Sequence, residues 1–227
     1  MISDNLKKVR ENIFTACEKA DRSAGEIELV GVTKTVDEAR ILTAIDCGIS
    51  HVGENRVQEY LEKYDLFKKK GVKSSIIGHL QTNKVKYIID KVDLIQSVDS
   101  IKLAKEIGSQ AKKHGKVMDI LVEINIGEEE SKFGISFEKT FEFIHEISEI
   151  ENIRVKGIMS IPPILTKESI QREYFRKLYK IYIDIASKKI DNIYMDILSM
   201  GMSSDYHYAI LEGANMVRVG TGIFGKR

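Results

Sequence analysis

Glu28-Leu-Val-Gly-Val-Thr-Lys34 is a short apolar run that reads as a β-strand, and the residues after it, Thr35-Val36-Asp37-Glu38, contain no GxGxxG. A first strand without that turn argues against the doubly wound sheet that binds dinucleotides. Seven further β-rich runs follow, at His51–Glu54, Ser75–His79, Leu94–Val98, Asp119–Asn125, Arg154–Ser160, Tyr194–Gly201 and Met216–Thr221. Amphipathic stretches at Val36–Cys47, Asn55–Phe67, Asn83–Ile89, Ser100–Lys113, Phe137–Ile150, Lys167–Lys189 and Ser204–Leu211 fill the intervals as helices. Gly48 and Gly115 stand where a left-handed residue ends a helix, and Asp99 and Ser136 stand where an N-cap oxygen is wanted.

Strands alternating with helices imply parallel strands joined by right-handed crossovers, a pattern that both an open sheet and a closed barrel satisfy. The chain stops six residues after the eighth strand, too soon for a last helix. Leu6, Val9, Ile13, Phe14 and Cys17 fall at helical spacing over residues 2–20, so an opening helix can cover that gap. The expectation is an α/β fold, a single (β/α)8 TIM barrel domain over residues 1–227 with an extra N-terminal helix.

Composition narrows the function classes. The chain of 227 residues is 43% hydrophobic and 30% charged, which is globular rather than disordered. Thirty-five basic against thirty-four acidic residues leave a net charge of +1, so there is no bulk attraction to nucleic acid or an anionic membrane. Met1-Ile-Ser-Asp-Asn-Leu-Lys-Lys8 has no apolar segment behind it, and no run reaches the ~18 apolar residues of a spanning helix. Cys17 and Cys47 make no disulfide framework, and His51, His114, His145 and His207 show no metal-ligand spacing. A cytoplasmic protein without metal is expected.

In a barrel of this kind chemistry lies at the C-terminal strand ends, and phosphate sites favour the loops after strands seven and eight. Those ends carry Lys34, Glu54-Asn55, His79, Ser97, Asn125, Met159-Ser160, Met200 to Ser204 and Arg218 to Thr221. Lys34 shares a face with Val30 and Val32. An interior face strips water from its amine, which suits a lysine that forms an imine, whereas an exterior face leaves it snorkelling to solvent. Ser199-Met-Gly-Met-Ser-Ser-Asp205 and Val217-Arg-Val-Gly-Thr-Gly-Ile-Phe-Gly225 combine glycines, hydroxyls and a helix start near Ser204, the parts of a phosphate cradle. Each alone could be an N-cap and turn residues; both at the two expected strands favour the cradle. A phosphate site facing an imine-forming lysine fits pyridoxal 5′-phosphate, or a sugar phosphate held by a class I aldolase with Lys156 as its lysine.

The chain resembles the pyridoxal 5′-phosphate homeostasis protein family, itself similar to the barrel domain of bacterial alanine racemases. The matching stretches are Leu29-Val-Gly-Val-Thr-Lys-Thr35, Gly53-Glu-Asn-Arg-Val-Gln-Glu59, Gly78-His-Leu-Gln-Thr-Asn-Lys84, Gly157-Ile-Met-Ser160, Ser199 to Asp205 and Arg218 to Gly225. The resemblance implies that Lys34 holds pyridoxal phosphate as a Schiff base. It implies further that Ser203 and Thr221 give hydroxyls to the phosphate, with amides from Ser204 and Gly220. Asn55 would lie beside the ring, Arg218 would face the pyridine nitrogen, and His79 and Met200 would make ring-side contacts. Gly222 stands where the family pattern has alanine.

A guanidinium beside the pyridine nitrogen keeps that nitrogen unprotonated, which weakens the ring as an electron sink. Racemisation also needs a proton-transfer group on each face, and Lys34 supplies one. Tyr206 and Tyr208 are nominal candidates for the other, and no second domain is expected to bring one. The implied role is homeostasis of the cofactor and of amino and keto acids without a robust reaction, apo pyridoxal-phosphate enzymes being acceptors. The alternatives are a weak racemase or lyase, the aldolase, and an interaction module docking through Glu128-Glu-Glu-Ser-Lys132. A monomer is expected.

Overall fold

A computed structural model describes residues 1–129, 131–163 and 167–225. Nine strands form: β1 (Glu28–Val32), β2 (His51–Glu54), β3 (Lys73–Ile76), β4 (Leu94–Val98), β5 (Met118–Asn125), β6 (Ile135–Ser136), β7 (Ile153–Met159), β8 (Ile193–Ser199) and β9 (Met216–Val219). Eight of them pair in parallel in the order β4-β3-β2-β1-β9-β8-β7-β5, and β4 pairs with β5 to close the ring. The two-residue β6, which the sequence pattern does not announce, lies along the end of β5.

Register confirms a closed barrel. Asp119 pairs with Leu94, Leu94 with Ser75, Ser75 with Gly53 and Gly53 with Val32. In the other direction Glu123 pairs with Met159, then Ser199, Met216 and Glu28. Four residues on β5 and four on β1 separate the two paths, a stagger of about eight that is usual for an eight-stranded barrel.

The helices are α1 (Ile2–Lys19), α2 (Glu38–Asp46), α3 (Val57–Lys70), α4 (Ile101–Lys113), α5 (Thr140–Ser148), α6 (Glu168–Ser187), α7 (Tyr206–Leu211) and α8 (Thr221–Phe224). Where the pattern predicts a helix over Asn83–Ile89, the chain makes a 3₁₀ helix over Thr82–Tyr87, because the short connection from β3 to β4 leaves room for a tighter turn only. Phe137–Ile150 likewise divides into a 3₁₀ turn over Phe137–Lys139 and then α5. Ser100, not Asp99, caps α4, its Oγ accepting from the Leu103 amide at 3.3 Å. Ser136 precedes its helical turn without a side-chain cap bond. Gly48 and Gly115 end their helices at φ 92° and 63°, as expected.

Alternation along the strands sorts residues into two cores. Val30, Leu94, Leu121, Met159 and Met216 fill the barrel interior. Val52, Ile76, Ile120, Leu198 and Val217 point outward to meet Ile41, Tyr60, Leu103, Phe175 and Ala209 of the helices. Helix α1 adds Leu6, Val9, Ile13, Ala16 and the buried Cys17 to that outer layer, and Asn5 Nδ2 donates to the Ile223 carbonyl in α8 at 2.9 Å. Burial raises the Cys17 thiol pKa, while Cys47 is half-buried.

One outer contact fixes the turn after β1. The strand stops at Val32, and Thr33–Val36 form a turn closed by the Val36 amide on the Thr33 carbonyl at 3.0 Å, with Lys34 inside it. Thr35 takes φ 57°, a left-handed conformation that is costly for a β-branched residue and persists only where its surroundings enforce it. Two residues of α3 one turn apart do so. Lys63 Nζ donates to the Thr33 carbonyl at 2.8 Å and to Glu54 Oε1 at 2.7 Å, and Glu59 Oε2 accepts the Thr35 amide at 2.8 Å. Thr33 Oγ1 completes the clamp by donating to Glu54 Oε1 at 2.7 Å.

Glu54 is fully buried, and burial raises its pKa against the opposing pull of Lys63 and Thr33. Removing one partner of such a pair strands the other charge. Lys63→Met is therefore expected to lower the unfolding free energy by about 3–5 kcal/mol in a urea titration. Adding Glu54→Gln to that variant should recover most of the loss; a single variant within about 1 kcal/mol of wild type would show that the pair carries no such weight.

Candidate functional site

The C-terminal mouth of the barrel gathers most of the residues that the sequence singles out. Lys34 stands on the turn after β1 and is half-buried. Asn55 follows β2, and Gly78 lets the chain after β3 pass against it: a Cβ there would lie 2.6 Å from the Asn55 carbonyl oxygen. His79 sits beside them with Nδ1 3.2 Å from Asp99 Oδ2 and its ring stacked on Phe133 at 3.8 Å. Those two contacts give His79 a place at the rim and explain why Asp99 is not a helix cap.

Beside Lys34 on the ring, the segments after β9 and its neighbour β8 interlock. Ser203 Oγ accepts the Gly220 and Gly222 amides, both at 3.1 Å. Both lone pairs are then used, so the remaining capacity of this hydroxyl is to donate its proton, the polarity that an anion needs. A Cβ on Gly222 would lie 2.8 Å from Val219 Cγ1, so the alanine of the family pattern would need that valine to shift. Gly201 takes φ 90°, and a Cβ on it would lie 2.6 Å from Ala209 Cβ. Thr221 and Ser204 are exposed beside this pair of loops. The helix expected from Ser204 starts at Tyr206, because Asp205 folds the preceding turn on itself: its Oδ1 accepts the Met202 amide at 2.6 Å, and its Oδ2 accepts from Gln171 Nε2 at 3.1 Å. Burial raises the Asp205 pKa.

Arg218 lies inside the barrel, 2% exposed. Its Nη1 donates to Ser199 Oγ at 2.6 Å and its Nη2 to the Ser160 carbonyl at 2.8 Å. Burial pulls its pKa down to about 10, against Glu123 and Asp205, which favour the charge. A chain of buried groups continues downward from it. Ser199 Oγ donates to Gln96 Oε1 at 2.8 Å, and Gln96 Nε2 donates to Ser75 Oγ at 3.2 Å. His51 then joins Ser75 Oγ, at 2.6 Å from Nε2, to Glu28 Oε1, at 2.7 Å from Nδ1. Hydrogen bonding to His51 lowers the Glu28 pKa at the far end.

Some expected residues fall elsewhere. Met200 is wholly buried and belongs to the layer between barrel and helices, because its neighbour Ser199 takes the inward position. Lys156 lies in the middle of β7, in an ion pair with Asp196 and over the Tyr194 ring, and not at the C-terminal strand end that an aldolase would use. Tyr206 is buried with its hydroxyl accepting from Asn12 Nδ2 at 3.0 Å, and Tyr208 bonds Glu168. Of the acidic run, Glu130 lies outside the described residues. Glu128, Glu129 and Lys132 fold around Asn125, whose Nδ2 donates to the Glu129 and Lys132 carbonyls at 2.8 and 3.3 Å. Among the described residues no group of histidine, cysteine and carboxylate side chains could hold a metal ion, and no helix is long and apolar enough to cross a membrane.

A surface groove of about 840 Å³ lies at the opposite end of the barrel, between α1 and the starts of β1 and β2. Converging donors, rather than cleft size, mark the mouth as the candidate site. Sequence reasoning names Glu54 only as a strand end, and it overlooks Glu59 and Lys63, which with Glu54 hold the turn around Lys34, and Glu123, buried on β5. Two of these, Glu54 and Glu59, stand in the quoted Gly53–Glu59 stretch, which was the available signal.

Comparison with known proteins agrees with this geometry. The family described as alanine racemase, N-terminal domain, matches residues 5–227. The pyridoxal phosphate homeostasis protein of Aquifex aeolicus is 43% identical over 224 residues, covering 99% of this chain and 97% of that protein. A protein of unknown function from Bifidobacterium adolescentis has a crystal structure with a TM-score of 0.92 and 34% identity, covering 98% of this chain and 94% of that one. PipY of Synechococcus elongatus, solved with pyridoxal phosphate bound, has a TM-score of 0.86 and 26% identity, covering 99% of this chain and all of that one. The chain belongs to the alanine racemase N-terminal-domain family and, within it, to the pyridoxal phosphate homeostasis proteins.

Proposed function

We propose that this chain binds pyridoxal 5′-phosphate through the Lys34 amine and takes part in keeping that cofactor, and with it amino and keto acids, in balance inside the cell. The observation that carries the reading is that one barrel mouth sets a lysine on a clamped turn beside a donor-only hydroxyl over two close-packed glycine loops. These residues fit the cofactor: Ser203, whose oxygen already accepts two amides, is left with a proton to give a phosphate, and Arg218 offers a fixed cation for the ring end. PipY, solved with pyridoxal phosphate bound, supports the assignment.

Lys34, Asn55, Arg218, Ser203, Ser204, Gly220 and Thr221 form the proposed binding set, with His79 at the rim and Met200 supporting the loop from behind. In the described structure the Gly220 amide donates to Ser203, so its part is to orient that hydroxyl. When bound, the cofactor supplies an aldehyde that combines reversibly with primary amines. The protein's part is to hold that aldehyde, limit its free concentration and yield it to apo enzymes. Arg218 keeps its charge beside the ring and repels a second proton there, so carbanion chemistry is weakly supported. Tyr206, spent on Asn12, brings no acid to the mouth. We take the chain to act as one domain, a cytoplasmic monomer.

The purified protein, incubated with pyridoxal phosphate and reduced with borohydride, should carry the reduced adduct on Lys34 by peptide mapping, and Lys34→Ala should carry no adduct in that peptide. A wild type that takes up no cofactor ends this reading. Loaded protein should also reactivate an apo enzyme faster than it releases cofactor to buffer; equal rates would remove the carrier role. Ser203→Ala, which loses one hydroxyl donor to an anion, should weaken cofactor binding roughly 10- to 100-fold in an absorbance titration.

A further inference from the structure

Glu123 sits where no structural need places a carboxylate. Leu121, two residues before it on β5, lies in the barrel interior, while Val122 and Ile124 face the helices, so Glu123 points inward and upward toward the mouth. It is 7% exposed, and its Oε2 has no hydrogen-bond partner among the described residues. The other buried orphan oxygen, on Glu54, belongs to a carboxylate that Lys63 already pairs. β5 lies four strands from β1 in either direction round the closed ring, which sets Glu123 on the wall opposite Lys34.

The groups that face it come from each side. Beyond β4 stands Asp99, held by His79. On β7 its register partner is the apolar Met159. From β9 comes Arg218, which reaches the Ser160 carbonyl; Ser160 Oγ in turn donates to the Ile124 carbonyl next to Glu123, at 2.6 Å. A carboxylate without a partner at this depth is costly, whereas a neutral carboxyl group is a donor awaiting an acceptor.

We propose that Glu123 holds a proton on its buried carboxyl group and presents it, as a hydrogen-bond donor, to the ligand bound between Lys34 and Arg218. This rests on the cofactor reading above and adds a second proton-bearing wall to that site. Burial, and then the nearby Asp99, raise the Glu123 pKa to about 7, against the pull of Arg218. The donor is therefore present below neutrality and becomes an acceptor above it.

Two measurements on the full chain test this, with E123Q as the variant, since a glutamine amide donates a hydrogen bond but does not titrate. Loaded with pyridoxal phosphate, the wild type should change its visible spectrum with a midpoint near neutral pH, and E123Q should keep the acid-side spectrum throughout. A transition that survives unchanged in E123Q overturns the proposal. Without cofactor, a folded pKa above the unfolded value near 4.3 means stability that is present at low pH and lost as pH rises through about 7. The folding constant of wild type should thus fall relative to that of E123Q by about tenfold or more between pH 5 and pH 8 in urea titrations. An unchanged ratio shows that Glu123 holds no proton and overturns the proposal even if the cofactor binds. If instead no adduct forms on Lys34, the cofactor reading fails, and the stability ratio still decides the proton on Glu123.

Discussion

Keeping a guanidinium charged inside the barrel is the constraint to which the interior answers. Moving an ion of that size out of water costs several kcal/mol even after relaxation, and Arg218 has solvent on almost none of its surface. The barrel meets the cost with hydrogen bonds rather than a single counter-ion. Each donor in the series Arg218, Ser199 and Gln96 points away from the guanidinium, so every bond polarises the next. Ser75, which accepts from Gln96, can pass its own proton toward His51, and the series ends on the Glu28 carboxylate at the other mouth. An apolar barrel core would be simpler to build, and the polar series exists because Arg218 has to stand where it does.

The second constraint acts from outside. Thr33 and Thr35 hold Lys34 from either side, and α3 reaches both of them through Lys63 and Glu59. Left-handed Thr35 is the strained element of this arrangement, and the Glu59 bond to its amide offsets the strain. The clamp and the Arg218 series are independent: one lies between strands and helices, the other runs through the barrel. They meet only at the mouth, where β1 and β9 run side by side.

How much of this was legible in the sequence depends on whether the cause was local. Strand positions followed from short apolar runs, and the glycine-rich ends of β8 and β9 announced close backbone approach. Boundaries slipped where capping was decided by a distant partner. Asp99 looks like a cap until His79 claims it, and the helix after β8 starts late because Asp205 folds back on Met202. Met200 was misplaced by one step of alternation, which only the inward hydrogen bonds of Ser199 settle. The polar series could not be read at all: His51, Ser75, Gln96 and Ser199 lie on four different strands, and nothing in one strand names its neighbours across the ring. Glu123 was hidden for the same reason, as a lone acid in an apolar run whose charged neighbours, Asp99 and Arg218, stand after β4 and on β9.

The placement of charge at the mouth limits what chemistry the cavity can support. Arg218 is fixed in position and in charge, since its pKa, even lowered by burial, stays well above neutral. Glu123 on the far wall is variable in charge, poised by burial and by Asp99 near the pH at which a cell works. A ligand between them meets a permanent cation at one end and a carboxyl group that can be donor or acceptor at the other. A permanent cation holds a ring nitrogen free of its proton and so disfavours deep electron withdrawal, while a single titrating acid adjusts how tightly an oxygen is gripped. That combination suits reversible capture and release better than the making and quenching of carbanions, and it follows from where two side chains sit on β5 and β9.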